Sequence, residues 1–295
     1  MNIGVIGLGT MGAPMAGHLL PARREDGRLL VTARRPGSAA ELLQAGADWA
    51  PTPAALAAEC AVIVTVLPDL PELREVLEGP DGLLAGRTGD LLLVVCSTSS
   101  PDGVRTLAGD LTERTGGAVR VVDAPVSGGR EGAVAGTLSI LVGGADEDAA
   151  TVVELLAPCG RAVHLGPLGS GQVAKACNQL IVAATTVALA EAAVIAERSG
   201  LDLAAMFDVL GGGYAGSRLL DVKGPRLVAH DHEPASAARL MIKDLDFARA
   251  QARLTGGPTE HAQFLQQVFA GVVAAGLGDL DSSVVQRYLD ERSAS

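Results

Sequence analysis

The first half of the chain alternates between short apolar runs and longer stretches in which apolar residues recur every three or four positions. Ile3–Ile6, Leu29–Thr32, Ala61–Leu67, Asp90–Cys96, Val119–Asp123, Ser139–Val142 and Ala162–Leu165 have the length and β-branching of strands. Several are apolar on both faces, the pattern of parallel strands covered on either side. Helical periodicity fills the gaps at Met11–Leu20, Ala39–Ala45, Pro53–Glu59, Leu70–Leu77, Pro101–Thr115 and Glu147–Leu156. Strands alternating with helices predict an α/β domain with a doubly wound sheet. After Gly166-Pro167-Leu168-Gly169-Ser170-Gly171 the strand pattern stops. Gln172–Ser199 reads as one long helix, and glycine-punctuated helical stretches run on to the end. The expected organisation is an α/β domain over residues 1–165 and a C-terminal all-α domain over residues 166–295.

The first strand runs directly into Gly7-Leu8-Gly9-Thr10-Met11-Gly12, a GxGxxG turn that opens the first helix. Strand, glycine turn and helix together are the context in which this motif binds a dinucleotide. Gly7 permits the turn, Gly9 admits a pyrophosphate close to the backbone, and Gly12 lets helix and strand pack closely. The helix N-terminus adds N–H groups and a positive dipole end for the phosphates. A glycine-rich loop of no special purpose is the plainer alternative, and the flanking strand and helix weigh against it.

The second strand ends in Ala33-Arg34-Arg35-Pro36. An NAD site usually places Asp or Glu here, roughly 20 residues past the glycines, to bind the ribose 2′-hydroxyl. A carboxylate repels a 2′-phosphate, whereas a guanidinium binds it through charge-assisted hydrogen bonds. With Ala33 in the acidic position and two arginines after it, the cofactor expected is NADP(H), with NAD(H) as the second choice. Two solvated loop arginines are the plainer alternative.

Composition narrows the partners. Aromatic residues are 2% of the 295, with one Trp and two Tyr, so stacking platforms for single-stranded nucleic acid are not expected. A net charge of −11 argues against nucleic-acid and anionic-membrane surfaces alike. Cys60, Cys96, Cys159 and Cys177 form no CxxC pair, and the five histidines show no metal-ligand spacing, so no metal is expected. Three of the cysteines sit in apolar runs and read as small core residues. The N-terminus enters a strand at once, without a signal-peptide pattern. The longest uncharged stretch, 176–190, is too short to span a bilayer. A soluble, cytoplasmic protein is the expectation.

One charge stands out. Between Arg161 and Glu191 the only formally charged side chain is Lys175, which lies three residues before Asn178 and so shares a face of the long helix with it. Burial of a lysine lowers its pKa towards the range useful for proton transfer. A lysine that snorkels to water is the alternative. Just past a strand end, Ser127-Gly128-Gly129 offers successive N–H groups and a hydroxyl, the makings of an anion nest or simply of a tight turn. Lys243, in Lys243-Asp244-Leu245, adds positive charge for an anionic ligand or forms an ordinary surface pair.

Taken together, Gly7-Leu-Gly-Thr-Met-Gly-Ala-Pro-Met15, Asp123-Ala-Pro-Val-Ser-Gly-Gly129, Gly169-Ser-Gly-Gln-Val-Ala-Lys175 with Asn178, and Lys243-Asp-Leu245 resemble the β-hydroxyacid dehydrogenase family. Asn178–Ala183, Gly212–Ser217 and Gly276–Gly278 are most similar to the tartronate semialdehyde reductases within it. The resemblance implies a Rossmann-type NADP-binding domain and a helical domain that forms homodimers or homotetramers. It implies hydride transfer between nicotinamide C4 and the terminal carbon of a small 3-hydroxy or 3-oxo acid. Lys175 becomes the general acid/base, Asn178 orients substrate, and Ser127, Gly128 and Gly129 hold its carboxylate. Leu67, Pro68, Thr98 and Lys243 fall to the cofactor. One departure is Glu233–Ile242, where the reductases carry an aromatic residue and this chain has none. A 3-hydroxyisobutyrate or other semialdehyde dehydrogenase is the nearest alternative. An imine reductase and a non-catalytic NADP-binding sensor are more distant ones, and Lys175 speaks against both.

Overall fold

The computed structural model describes residues 1–22 and 27–293. Cα packing divides the chain into two compact units, Met1–Lys175 and Ala176–Ser295. The division falls inside a helix, a few turns' length after the change of pattern in the sequence.

In the first unit the elements follow one another as β1 (Ile3–Ile6), α1 (Gly12–Ala22), β2 (Leu29–Thr32), α2 (Ala40–Gln44), β3 (Asp48–Trp49), α3 (Pro53–Glu59), β4 (Val62–Thr65), α4 (Leu70–Leu77), α5 (Leu83–Gly86), β5 (Leu91–Val95), α6 (Pro101–Thr115), β6 (Val119–Asp123), β7 (Val126–Ser127), α7 (Gly129–Ala135), β8 (Leu138–Val142), α8 (Asp146–Leu156), β9 (Gly160–His164) and α9 (Ser170–Arg198). Six strands form a parallel sheet in the order β3-β2-β1-β4-β5-β6. That is the dinucleotide-binding order, with its switch point between β1 and β4. Alternate residues of these strands feed opposite cores. Val5, Val31, Val64 and Val94 pack on one face. Ile6, Leu30, Ile63 and Leu93 pack on the other. Successive side chains point to opposite faces of a strand, so a strand covered on both sides must be apolar throughout.

Two features depart from the sequence pattern. Ser139–Val142 and Ala162–Leu165 do not extend the main sheet. As β8 and β9 they pair in parallel, and β8 takes the two-residue β7 antiparallel on its other side, to make a separate three-stranded sheet. The short elements β3, β7, α5 and α7 also carry too few residues for a period to show.

The second unit comprises the remainder of α9 with α10 (Leu203–Gly211), α11 (Arg218–Ala229), α12 (Leu240–Thr255), α13 (Glu260–Ala274) and α14 (Val285–Ser293). Ala183, Val187 and Ala190 of α9 enter one apolar cluster, around Phe269. Leu189, Ala193 and Ala196 enter another, around Phe207. The helix is 29 residues long and apolar enough by length and composition to cross a membrane, with 44% of its most apolar window buried inside the protein. Its charged and amide residues and its place in both clusters make it a core helix.

Candidate active site

The three glycines of the first turn do different work. Gly7 has φ +96°, and a Cβ there would lie 2.3 Å from the Val66 carbonyl oxygen. A Cβ on Gly12 would lie 1.9 Å from the Gly7 oxygen. Both positions are closed to any larger residue by the protein's own backbone. Gly9 is different: a Cβ there would meet nothing within 4 Å, and the residue is exposed. The open face above Gly9 is the space a pyrophosphate needs. No acidic residue occupies the first turn of α1, so its positive end is not neutralised locally. These residues fit a dinucleotide.

The loops that follow the parallel strands collect the first unit's other expected cofactor residues at one edge. Ile6 pairs in register with Thr32 on one side and with Thr65 on the other. The glycine turn is therefore flanked by Ala33-Arg34-Arg35 after β2 and by Leu67-Pro68 after β4. Leu67 is half-buried and Pro68 exposed. Both arginines are exposed, and neither guanidinium makes an ion pair among the described residues. Thr98 is half-buried in the loop after β5. The hydroxyls of its neighbours Ser97 and Ser99 are buried without a partner among the described residues.

Asp123 ends β6 and is 0% exposed. Its Oδ1 accepts from the Gly169 N–H at 2.6 Å and its Oδ2 from the Gln172 N–H at 2.7 Å. Burial pushes its carboxyl up to about 6, against the pull of those backbone bonds and of the Arg105 charge. Gln172, 1% exposed, donates from Nε2 to the Ser97 carbonyl at 2.8 Å and accepts at Oε1 from the Ser99 N–H at 2.9 Å. Lys175, one turn further along α9, is 6% exposed, so it does not snorkel. Past Asp123 the chain enters β7, and Ser127 is half-buried at its end. Gly128 (φ +136°) and Gly129 (φ +65°) then turn into α7 with backbone conformations that favour glycine. The carboxylate of Glu131 lies 2.9 Å from where a Gly129 Cβ would be.

In the second unit the expected residues Asn178 and Lys243 belong to one polar chain. Asn178 Nδ2 donates to Gln179 Oε1 at 3.0 Å, and Gln179 Nε2 donates to Asp244 Oδ2 at 2.6 Å. Lys243 Nζ lies 3.2 Å from Asp244 Oδ1 and 5.1 Å from the centroid of the Phe247 ring. The segment expected to lack an aromatic is pinned at the Glu233 carbonyl by Arg226 (2.9 Å) and at the Ser236 N–H by Asp281 (3.0 Å). Cys60, Cys96 and Cys159 are buried in apolar surroundings that push each thiol well up, whereas Cys177 is exposed.

Sequence reasoning passed over Asp123, Gln172, Gln179 and Asp244. All four lie inside or beside quoted motifs, and the usable signal was a carboxylate or amide set within an apolar run. Such a group needs partners, and the partners are distant in sequence.

Comparison with known proteins agrees with this geometry. The family model for the NAD binding domain of 6-phosphogluconate dehydrogenase matches residues 2–167. The model for the NAD-binding domain of NADP-dependent 3-hydroxyisobutyrate dehydrogenase matches residues 169–289. The chain is 35% identical to the 2-hydroxy-3-oxopropionate reductase of Escherichia coli, over 98% of this chain and 97% of the relative. It is 34% identical to the NAD-dependent L-serine dehydrogenase of Pseudomonas aeruginosa, over 98% of each. Among solved structures, Mycobacterium tuberculosis 3-hydroxyisobutyrate dehydrogenase with L-serine superposes with a TM-score of 0.81 at 30% identity, covering 98% of both chains. The chain belongs to the β-hydroxyacid dehydrogenase family and is an NAD(P)-dependent hydroxyacid dehydrogenase with an N-terminal Rossmann domain and a helical C-terminal domain.

Proposed function

We propose that the protein interconverts a small 3-hydroxy acid and its semialdehyde, of the tartronate semialdehyde and glycerate type, with NADP(H). The observation that carries this reading is Lys175: an almost fully buried lysine on a helix whose first turn is bonded to loops at the cofactor edge of the sheet. The nicotinamide cofactor, when bound, supplies or accepts the hydride at the substrate's terminal carbon. Gly7, Leu8, Gly9, Thr10, Met11 and Gly12 cradle its phosphates, and Arg34 and Arg35 bind a 2′-phosphate. Leu67, Pro68 and Thr98 line it, and Lys243 adds positive charge. Ser127, Gly128 and Gly129 hold the substrate carboxylate, and Asn178 orients the substrate. Lys175 gives a proton to the aldehyde oxygen during reduction and removes one from the hydroxyl during oxidation. General acid/base groups of this kind contribute about 10²–10⁴ in rate.

The test is a substrate panel of tartronate, methylmalonate and succinic semialdehydes and glyoxylate with NADPH and NADH, beside methyl esters of the acids. One semialdehyde acid should be reduced with a clear NADPH preference. Its ester should be slower by about ten- to a hundredfold in kcat/KM, the equivalent of a lost charge-assisted bond. Equal rates for acid and ester reduce Ser127-Gly128-Gly129 to a turn and favour an imine reductase.

A second reading is oxidation of L-serine, itself a 3-hydroxy acid, favoured by likeness to an L-serine dehydrogenase and to a structure with L-serine. L-serine with NAD⁺ and NADP⁺ therefore joins the panel. A homodimer or homotetramer in the cytoplasm completes the proposal. Exposed Ile181 and Ile195, 66% each, are apolar surface that such an assembly would cover, and light scattering reads its size.

A further inference from the structure

We propose that Asp123 and Gln172 are positioning residues that fix Lys175 against the loop carrying Thr98 and the strand end leading to Ser127. The inference rests on the reading of Lys175 as the general acid/base. The first turn of a helix leaves backbone N–H groups without partners, and a local Ser, Thr, Asp or Asn ordinarily satisfies one of them. Here the acceptor for Gly169 and Gln172 is a carboxylate far back in the sequence, at the end of β6. A local cap would stabilise α9 equally well without tying it to the sheet. The long-range cap also buries a carboxylate that makes no ion pair among the described residues, and desolvation raises its pKa to about 6 against the backbone bonds and the Arg105 charge.

Space for this arrangement has been cleared by glycine. A Cβ on Gly143 would lie 2.5 Å from Asp123 Oδ1, and one on Gly171 would lie 2.8 Å from Oδ2 and 2.1 Å from the Leu141 oxygen. Gln172 supplies the second tie. Its amide bonds the backbone of Ser97 and Ser99 on either side of Thr98, and the hydroxyls of those two serines are buried without a partner among the described residues. Gln172 and Lys175 are three residues apart, so they share one face of the helix, about 4.5 Å apart along its axis. The face that grips the Thr98 loop is therefore the face that carries Lys175. Beyond Asp123 only Ala124, Pro125 and Val126 precede Ser127, so one carboxylate references the acid/base helix to the proposed carboxylate-binding turn as well.

Misplacement of a reacting group by about 1 Å is enough to lower a rate about 10²-fold. The experiment measures kcat, KM and NADPH affinity for Asp123→Asn and Gln172→Ala. The substrate is tartronate semialdehyde, or succinic semialdehyde if the latter turns over faster. Gln172→Ala keeps its own N–H bond to Asp123, so it tests the clamp even where Asp123→Asn fails to fold. The expected result is a kcat lowered about 10- to 100-fold, with KM and the NADPH Kd (from nicotinamide fluorescence) within about threefold. A kcat for folded Gln172→Ala within twofold of wild type overturns the proposal, as does a parallel loss of kcat and NADPH affinity. Lys175→Ala run alongside separates the two ideas. If it keeps a tenth of wild-type kcat, the proposed function fails and the positioning argument goes with it. If Lys175→Ala is inactive while folded Gln172→Ala stays within twofold of wild-type kcat, Lys175 keeps its role and Gln172 does not position it.

Discussion

Asp123 in the first unit and Asp281 in the second are both 0% exposed, yet they are stabilised by opposite means. Asp123 accepts only from backbone N–H groups among the described residues, with the Arg105 charge acting from further off, and burial leaves its carboxyl near 6. Asp281 accepts from Lys223 Nζ at 2.5 Å, from the N–H groups of Ser236 and Ser283 at 3.0 Å each, and has Arg226 at 3.8 Å. Burial pushes Asp281 up too, but the Lys223 bond and charge with the two backbone donors outweigh it and hold the carboxyl below the usual carboxylate range. Backbone dipoles and a distant charge do not compensate desolvation in the first case, whereas a directly bonded buried cation with two backbone donors does in the second. The first unit thus spends its buried acid on capping the helix that carries Lys175, while the second unit joins Asp281 to the buried Lys223 in a structural pair.

The sharpest way to break this contrast is to remove each lysine. Lys175→Ala should lower kcat by about 10²–10⁴ while cofactor affinity stays within a few-fold, because a group acting at the reacting oxygen serves the transition state. Single-turnover kinetics with a fluorescence titration of NADPH checks both halves. Lys223→Met should do the reverse and lower stability by about 3–5 kcal/mol, since it leaves a buried carboxylate short of its cation. Urea unfolding measures it, and adding Asp281→Asn should recover part of the loss; no recovery would mean that the pair is not what holds this region.

A smaller effect sharpens the picture of the sheet edge. Arg34→Asp should shift the kcat/KM ratio from NADPH towards NADH by one to two orders of magnitude, about 1–3 kcal/mol of charge-assisted bonding. An unchanged ratio would make Arg34 a solvated loop residue.

The smallest prediction concerns pH. The carboxyl of Asp123 sits above its unfolded value, so the folded state takes up a proton as pH falls through 6, and this residue's contribution to stability rises on acidification. At pH 5, one unit below the folded-state value, the gain is on the order of 1 kcal/mol relative to pH 7.5. Asp281 runs the other way: its contribution is present above the unfolded carboxylate value and fades as pH falls through its depressed one. The difference in melting temperature between wild type and Asp123→Asn isolates the first group. That difference should be larger at pH 5 than at pH 7.5, and a constant gap would show that the carboxyl is not raised.

Sequence by itself determined what depends on local periodicity and local stereochemistry. Both-face apolar runs announced β1, β2, β4 and β5, because a strand between two helical layers has no polar side. The glycine turn was legible, because Gly7 takes a positive φ that favours glycine and Gly12 packs against the Gly7 oxygen five residues before it. Lys175 stood out because a lone charge in an apolar helix is rare enough to see without coordinates. Tertiary structure decided what depends on partners far apart in the chain. It separated β7, β8 and β9 into their own sheet, since hydrogen-bond pairing leaves no mark in the period of a single strand. It also revealed that Asp123 caps a helix 46 and 49 residues downstream, and that Gln179 reaches Asp244 across 65. A buried polar side chain states in the sequence only that it needs a partner. Which partner it finds is fixed by packing, where the desolvation of each group makes an unsatisfied alternative too unfavourable to persist.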